Sequence, residues 1–306
     1  MMEEKNMTYE SVISGRDLRK KYKNFELNIP SLEIPKGFST ALIGENGAGK
    51  TTLLDMIAGI QLDYKGSFTY FGKYSDSELD KNPTVKSRIG YTGTGSYYLP
   101  QWTLKQAKEL QELLFSDFDG EQYDRLCKEL AITTDGSFEQ SKKVSALSDG
   151  NRIKLMLAGV LSRQTDLLVM DEPASPLDPL MRDRLCDMIR SYLADGEGEK
   201  SVIFSTHNIA DMEAATDYAI IVEHGAIVEQ GFVEDLKEKY IVVRGENKDA
   251  AAARKAMYTF SSNSFGFEGI CLSDRLQELA GLDLSLETPT LSQIAVAVMK
   301  NNTRLH

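Results

Sequence analysis

Apolar positions along this chain alternate between short continuous runs and longer stretches with helical spacing. The runs at 12–14 and 25–29, then 38–43, predict strands near the start, and residues 52–58 open a helix directly afterwards. Residues 66–72 alternate apolar and polar, and 88–91 form a further short strand-like run. From about 103 to 163 the 3.6-residue period takes over, with apolar faces over 104–115, 123–130 and 150–161. Strand and helix then alternate again: a strand at 167–170, a helix from about 179 to 193, and strands at 201–205 and 218–222, with 196–200 as a solvated turn.

This order predicts an α/β fold: an antiparallel β subdomain at the start, a parallel core, and a helical subdomain of about 95–163 inserted between its strands. Past Leu236 the pattern changes. A strand at 240–243, an alanine-rich helix over 248–257, a strand at 265–271 and a closing helix at 292–300 predict a small C-terminal α/β extension over 236–306, after a first unit of 1–235. Apart from the run Ala250-Ala251-Ala252-Ala253, which favours helix, no repeat or low-complexity tract is visible.

Composition narrows the partners. The 306 residues suffice for a full core, and 46 acidic against 35 basic side chains give a formal charge of −11, which argues against neutralising nucleic-acid phosphates. Cys127, Cys186 and Cys271 lie far apart with no CxxC pair, so neither a zinc site nor a disulfide framework is expected, and a reducing cytosol fits. The start, Met1-Met2-Glu3-Glu4-Lys5-Asn6, is polar, and no stretch approaches the roughly 18 consecutive apolar residues of a membrane span. If the chain works at a membrane, a separate subunit must do the spanning.

The chemistry is concentrated at strand ends. Gly44-Glu45-Asn46-Gly47-Ala48-Gly49-Lys50-Thr51-Thr52 has the spacing of a phosphate-gripping loop, flanked by the strand and helix that such a loop needs. Its glycines let the backbone wrap a polyphosphate with N–H groups facing the oxygens, Lys50 supplies a cation and Thr51 offers a hydroxyl to Mg²⁺. Downstream, the strand 167–170 ends in Asp171-Glu172-Pro173. Asp171 is placed to hold the metal and Glu172 to polarise an attacking water.

With these residues in place, the chain resembles the nucleotide-binding subunits of ABC (ATP-binding cassette) transporters from about Tyr22 to Gly231. Leu147-Ser148-Asp149-Gly150-Asn151 is similar to the family's signature, in which Ser148 and Gly150 would touch the γ-phosphate held by an opposite subunit. Ser175-Pro176-Leu177-Asp178 resembles the D-loop, and His207 occupies the position of the switch histidine. Tyr22 matches the aromatic that stacks on adenine, with Phe25 as a nearby alternative. The stretch from Lys50 to Leu147 is too short for the coiled coils of chromosome-maintenance ATPases.

The resemblance implies a P-loop ATPase that binds ATP and Mg²⁺, pairs with a second ATP-binding subunit to sandwich two nucleotides, and drives a membrane permease from the cytoplasmic face. Leu177-Asp178-Pro179, Arg182 and the run 151–155 are closer to the ATPases of drug, bacteriocin and peptide exporters than to those of importers. A non-transport ABC ATPase, assembling or regulating a protein partner, is the alternative. Two positions depart from the family. Thr94 stands where a glutamine is usual, with Gln101 seven residues on, and Asp149 puts an acid beside a triphosphate, where Arg152 could neutralise it.

Overall fold

The computed structural model describes residues 9–93, 97–132 and 140–303. The chain runs β1 (Ser11–Lys21), β2 (Glu26–Pro35), β3 (Ser39–Ile43), α1 (Lys50–Ile57), β4 (Lys65–Tyr70), β5 (Tyr74–Ser75), α2 (Asp76–Lys81), α3 (Pro83–Ser87) and β6 (Ile89–Thr92). The helices α4 (Leu104–Leu114), α5 (Gly120–Glu129) and α6 (Asp149–Leu161) follow, then β7 (Leu167–Met170), α7 (Pro179–Ala194), β8 (Ser201–Thr206), β9 (Tyr218–Glu223) and β10 (Ala226–Phe232). The last part holds α8 (Val233–Lys239), β11 (Tyr240–Gly245), α9 (Ala250–Ala253), β12 (Met257–Ser262), β13 (Phe267–Leu272), β14 (Leu284–Glu287) and α10 (Leu291–Thr303).

The central sheet has the order β10-β9-β3-β8-β7-β6. Its strands from β9 to β6 are parallel, and β10 joins β9 antiparallel at one edge. Strands β3, β7 and β8 are buried along their whole length, as expected of parallel strands covered on both faces.

Successive side chains serve opposite faces. Leu42, Leu167, Val169 and Ile203 pack with α1 against the first antiparallel sheet, β2-β1-β4-β5. Their neighbours Ala41, Ile43, Leu168, Met170 and Phe204 pack on the other side, in one cluster with residues of α4, α5, α6 and α7. Because all parallel strands point the same way, the loops after β3, β7 and β8 emerge at one edge.

The helices α4, α5 and α6 between β6 and β7 supply the expected helical insertion. Each begins on a side-chain cap: Thr103 for α4, Asp119 for α5 and Ser148 for α6. The C-terminal sheet, β12-β13-β11-β14, is antiparallel and has a core of its own around Val243, Phe267 and Cys271.

One local expectation fails here. The alanine-rich helix over 248–257 is confined to Ala250–Ala253, and Met257–Ser262 is a strand. Alanine propensity carries a single turn, while Met257, Thr259 and Phe260 pair along β13 through Met257↔Cys271, Thr259↔Ile270 and Phe260↔Gly269, with Tyr258 at a shift in register. Helix α10 turns back from this unit onto the central core. Its Leu291, Ile294, Ala295, Ala297 and Val298 belong to the same apolar cluster as β3, β7 and β8.

Candidate functional site

The glycine loop leaves β3 and enters α1 through backbone that only glycine adopts readily. Gly47 has φ +86° and Gly49 φ +106°. A Cβ on Gly49 would also lie 2.7 Å from the Phe25 ring, and one on Gly44 would lie 2.3 Å from the Val222 carbonyl oxygen. Gly49 occupies the cap position of α1 with no side-chain capping bond, so the loop and helix start offer their N–H groups outward. Lys50 is buried, and its Nζ donates to the carbonyls of Gly44 (2.8 Å) and Glu45 (3.2 Å), which closes the loop around the ammonium. Ala48 is buried beneath the loop, Thr52 is half-buried, and Asn46 and Thr51 are exposed.

Two carboxylates meet this loop from β7. Asp171 is 1% exposed, and Thr51 Oγ1 donates to its Oδ2 at 2.8 Å. Ser205 Oγ, from β8, donates to the other oxygen, Oδ1, at 2.5 Å. Glu172 follows with φ +50°, a left-handed conformation that costs a non-glycine residue about 1 kcal/mol or more. Its Oε2 lies 2.8 Å from His207 Nδ1, and its Oε1, buried without a hydrogen-bond partner, lies 3.5 Å from Lys50 Nζ. The phosphate loop, the Asp-Glu pair and the histidine therefore converge, although they are far apart in sequence.

The donor set fits Mg²⁺. Asp171 and Thr51 offer hard oxygens side by side, and among the described residues no group of three or more His, Cys, Asp or Glu forms a self-sufficient metal cage. Mg²⁺ characteristically takes one or two protein oxygens and completes its shell with phosphate and water.

A cleft of about 640 Å³ opens beside these groups, lined by Asn46, Glu172 and His207 on one side and by Asp149, Arg152 and Pro176 on another. Ser148 is exposed and caps α6, accepting from Asn151 N at 3.3 Å. Asp149 points to solvent and pairs with Arg152 at 2.8 Å, so the acid beside Ser148 has its cation. Gly150 sits where a Cβ would come 2.8 Å from the Pro176 carbonyl oxygen. Asp178 caps α7 by accepting from Met181 N at 3.1 Å.

The aromatic pair divides its work. Phe25 is half-buried beneath Gly49, whereas Tyr22, 6.2 Å away between ring centroids, is 43% exposed. Lys20 Nζ stands 5.3 Å from the Tyr22 centroid and is tethered to Asp63 at 3.0 Å. Gln101 is exposed. Thr94 lies outside the described residues.

Sequence reasoning missed Ser205 and the Tyr91–Asp55 pair, in which Tyr91 donates to Asp55 Oδ1 at 2.7 Å. A serine inside an apolar strand carries no motif signal. The only pointer was its position two residues before His207.

Together, the α/β core, the lysine-closed loop and the carboxylate-histidine cluster define a P-loop ATPase of the ATP-binding cassette class. Residues 27–175 match the family model described as ABC transporter, and with this ABC-type domain the chain is an ATP-binding, ATP-hydrolysing subunit that uses Mg·ATP.

Among its relatives, an uncharacterized ABC transporter ATP-binding protein of Nostoc sp. is 28% identical, with 97% of this chain and 92% of the relative covered. The energy-coupling factor transporter ATP-binding protein EcfA2 of Lactobacillus gasseri is 26% identical, covering 76% and 83%. The Nod factor export ATP-binding protein I of Burkholderia orbicola is 28% identical, covering 82% of each.

A solved ATP-binding subunit of an ABC transporter superposes with a TM-score of 0.63 at 24% identity, covering 74% of this chain and 92% of its own. A dimeric ATP-binding cassette bound to ADP and Pi does so with 0.59 at 18%, covering 72% and 98%. Among the described residues no helix is long and apolar enough to cross a membrane.

Proposed function

We propose that two ATP-binding subunits close face to face on two Mg·ATP, and that this closure drives a separate membrane permease from the cytoplasmic face. The observation that carries the reading is the convergence of Glu172, His207 and Lys50 beside the Asp171–Thr51 pair. In this scheme the N–H groups of Gly47 and of Gly49 to Thr52 hold the phosphates, with Asn46 at the loop crest, while those of Gly44 and Ala48 brace the loop on the Thr206 and Glu45 carbonyls. Lys50 neutralises phosphate charge, and Asp171 and Thr51 hold Mg²⁺. Tyr22 stacks on adenine.

Glu172 takes a proton from the attacking water, and His207, hydrogen-bonded to it, orients that carboxylate and meets the γ-phosphate. Ser148 and Gly150 of the partner complete the far side, and Asp178 keeps the partner-facing turn in place. The fold neighbour solved as a dimer with ADP and Pi supports the two-chain arrangement.

Export of a peptide or drug is the direction we propose. The Nod factor export relative, matched over 82% of both chains, supports it. ATP-dependent uptake into inside-out vesicles carrying the complex would bear this out, and uptake only into right-side-out vesicles would reverse it.

Glu172→Gln tests the chemistry. It should leave ATP binding intact, trap the closed dimer in gel filtration with Mg·ATP, and lower turnover by about 10²-fold or more. Near-normal turnover would remove Glu172 as the base.

A further inference from the structure

Strands β7 and β8 pair in parallel as far as Met170↔Phe204. One residue later the chains diverge, and the regular backbone ladder no longer serves Glu172. There Ser205, 0% exposed, makes two bonds with a single hydroxyl: it accepts from Glu172 N at 2.8 Å and donates to Asp171 Oδ1 at 2.5 Å.

The first bond satisfies the N–H of a residue held at φ +50°, which aims the Glu172 carboxylate at His207 and Lys50 rather than along the strand. The second occupies one oxygen of Asp171 and leaves the other, Oδ2, on the side of Thr51. A hydroxyl has one proton and two lone pairs, so serine or threonine can make both bonds and alanine neither.

We infer that Ser205 is a positioning residue that sets both carboxylates at once: it assigns Asp171 Oδ2 to the metal side and holds Glu172 toward the reacting water. The inference rests on the roles proposed above for Asp171 and Glu172. It differs from a mere packing role because it ties one buried hydroxyl to metal use as well as to turnover. The loop that grips phosphate through Lys50 makes no bond to Ser205, so binding of nucleotide without metal is separable from the effect.

The test compares Ser205→Ala and Ser205→Thr by calorimetric titration with ATP in EDTA and again in Mg²⁺, together with turnover and thermal melting. Ser205→Ala should bind ATP in EDTA like the natural protein. It should lose about tenfold of the affinity that Mg²⁺ adds, as for one hydrogen bond to a charged group, and about tenfold or more in turnover. Ser205→Thr should restore both.

An unchanged Mg²⁺ gain in Ser205→Ala overturns the inference, as does an equal defect in both variants with lowered melting and no change in metal dependence. Should neither variant fold, a crystal structure of the natural protein with Mn²⁺ and ADP decides. Metal on Oδ2 with Ser205 on Oδ1 supports the inference, and metal on Oδ1 overturns it. Failure of the base assignment is read separately, in the turnover of Glu172→Gln.

Discussion

Asp55 lies one helical turn beyond Thr51, and burial raises its carboxyl above the ordinary carboxylate value. The Tyr91 hydroxyl opposes that shift, and the nearby Asp171 charge adds to it. The folded state therefore binds this proton more readily than the unfolded chain does. The charged form of Asp55 is a cost to folding, relieved as pH falls through the raised folded value and present in full above it. Asp55→Asn keeps an acceptor for Tyr91 and removes the charge. It should raise the melting temperature at neutral pH, and the gain should shrink on acidification; melts at pH 7 and at pH 4 check this, and an equal gain at both would contradict it. At this scale the loop residues and the Asp-Glu pair were legible, because phosphate binding demands glycine, lysine and hydroxyl at fixed offsets. Ser205 and Asp55 were not, since a polar residue inside an apolar run announces no partner until the fold brings one.

At the scale of the element, α10 is the least expected in where it packs. Its apolar positions at 291, 294, 295 and 298 follow helical spacing, so its existence was readable, but its destination was not. It lies against β9, β10 and the single turn Ile209–Asp211 that follows His207, with Leu291 N donating to Glu213 at 3.0 Å and Asn302 Nδ2 to Glu223 at 2.8 Å. Ile294→Ala, at a fully buried position, should cost about 2–5 kcal/mol, visible in denaturant unfolding. A loss below about 0.5 kcal/mol would show that α10 adds little to the core. Strand β12 marks the opposite failure of sequence reasoning: local alanine preference extended a helix that pairing with β13 cut short. Strand β10, which hydrogen-bonds to β9 across a two-residue hairpin, was overlooked because its residues are only half-buried at a sheet edge.

For the whole molecule, the two-chain site proposed above makes turnover a property of association. Activity per chain should climb with protein concentration at high dilution and level off once dimers dominate; constancy from the lowest dilution would place the complete site within one chain. The fold class and the order of subdomains could be read in advance because strand-helix alternation survives in the apolar pattern. How the C-terminal sheet and α10 attach could not, since contacts between distant segments leave no local period. That attachment bears on how the chain is made. One apolar cluster holds Ala41, residues of α4 to α7 and Val298, and α10 packs at β9 and β10, so that flank of the cluster is covered only once residues near 298 have emerged. A nascent chain stalled before α10 would leave that flank of apolar side chains bare, so this part of the core is completed by a helix far in sequence from the strands it covers.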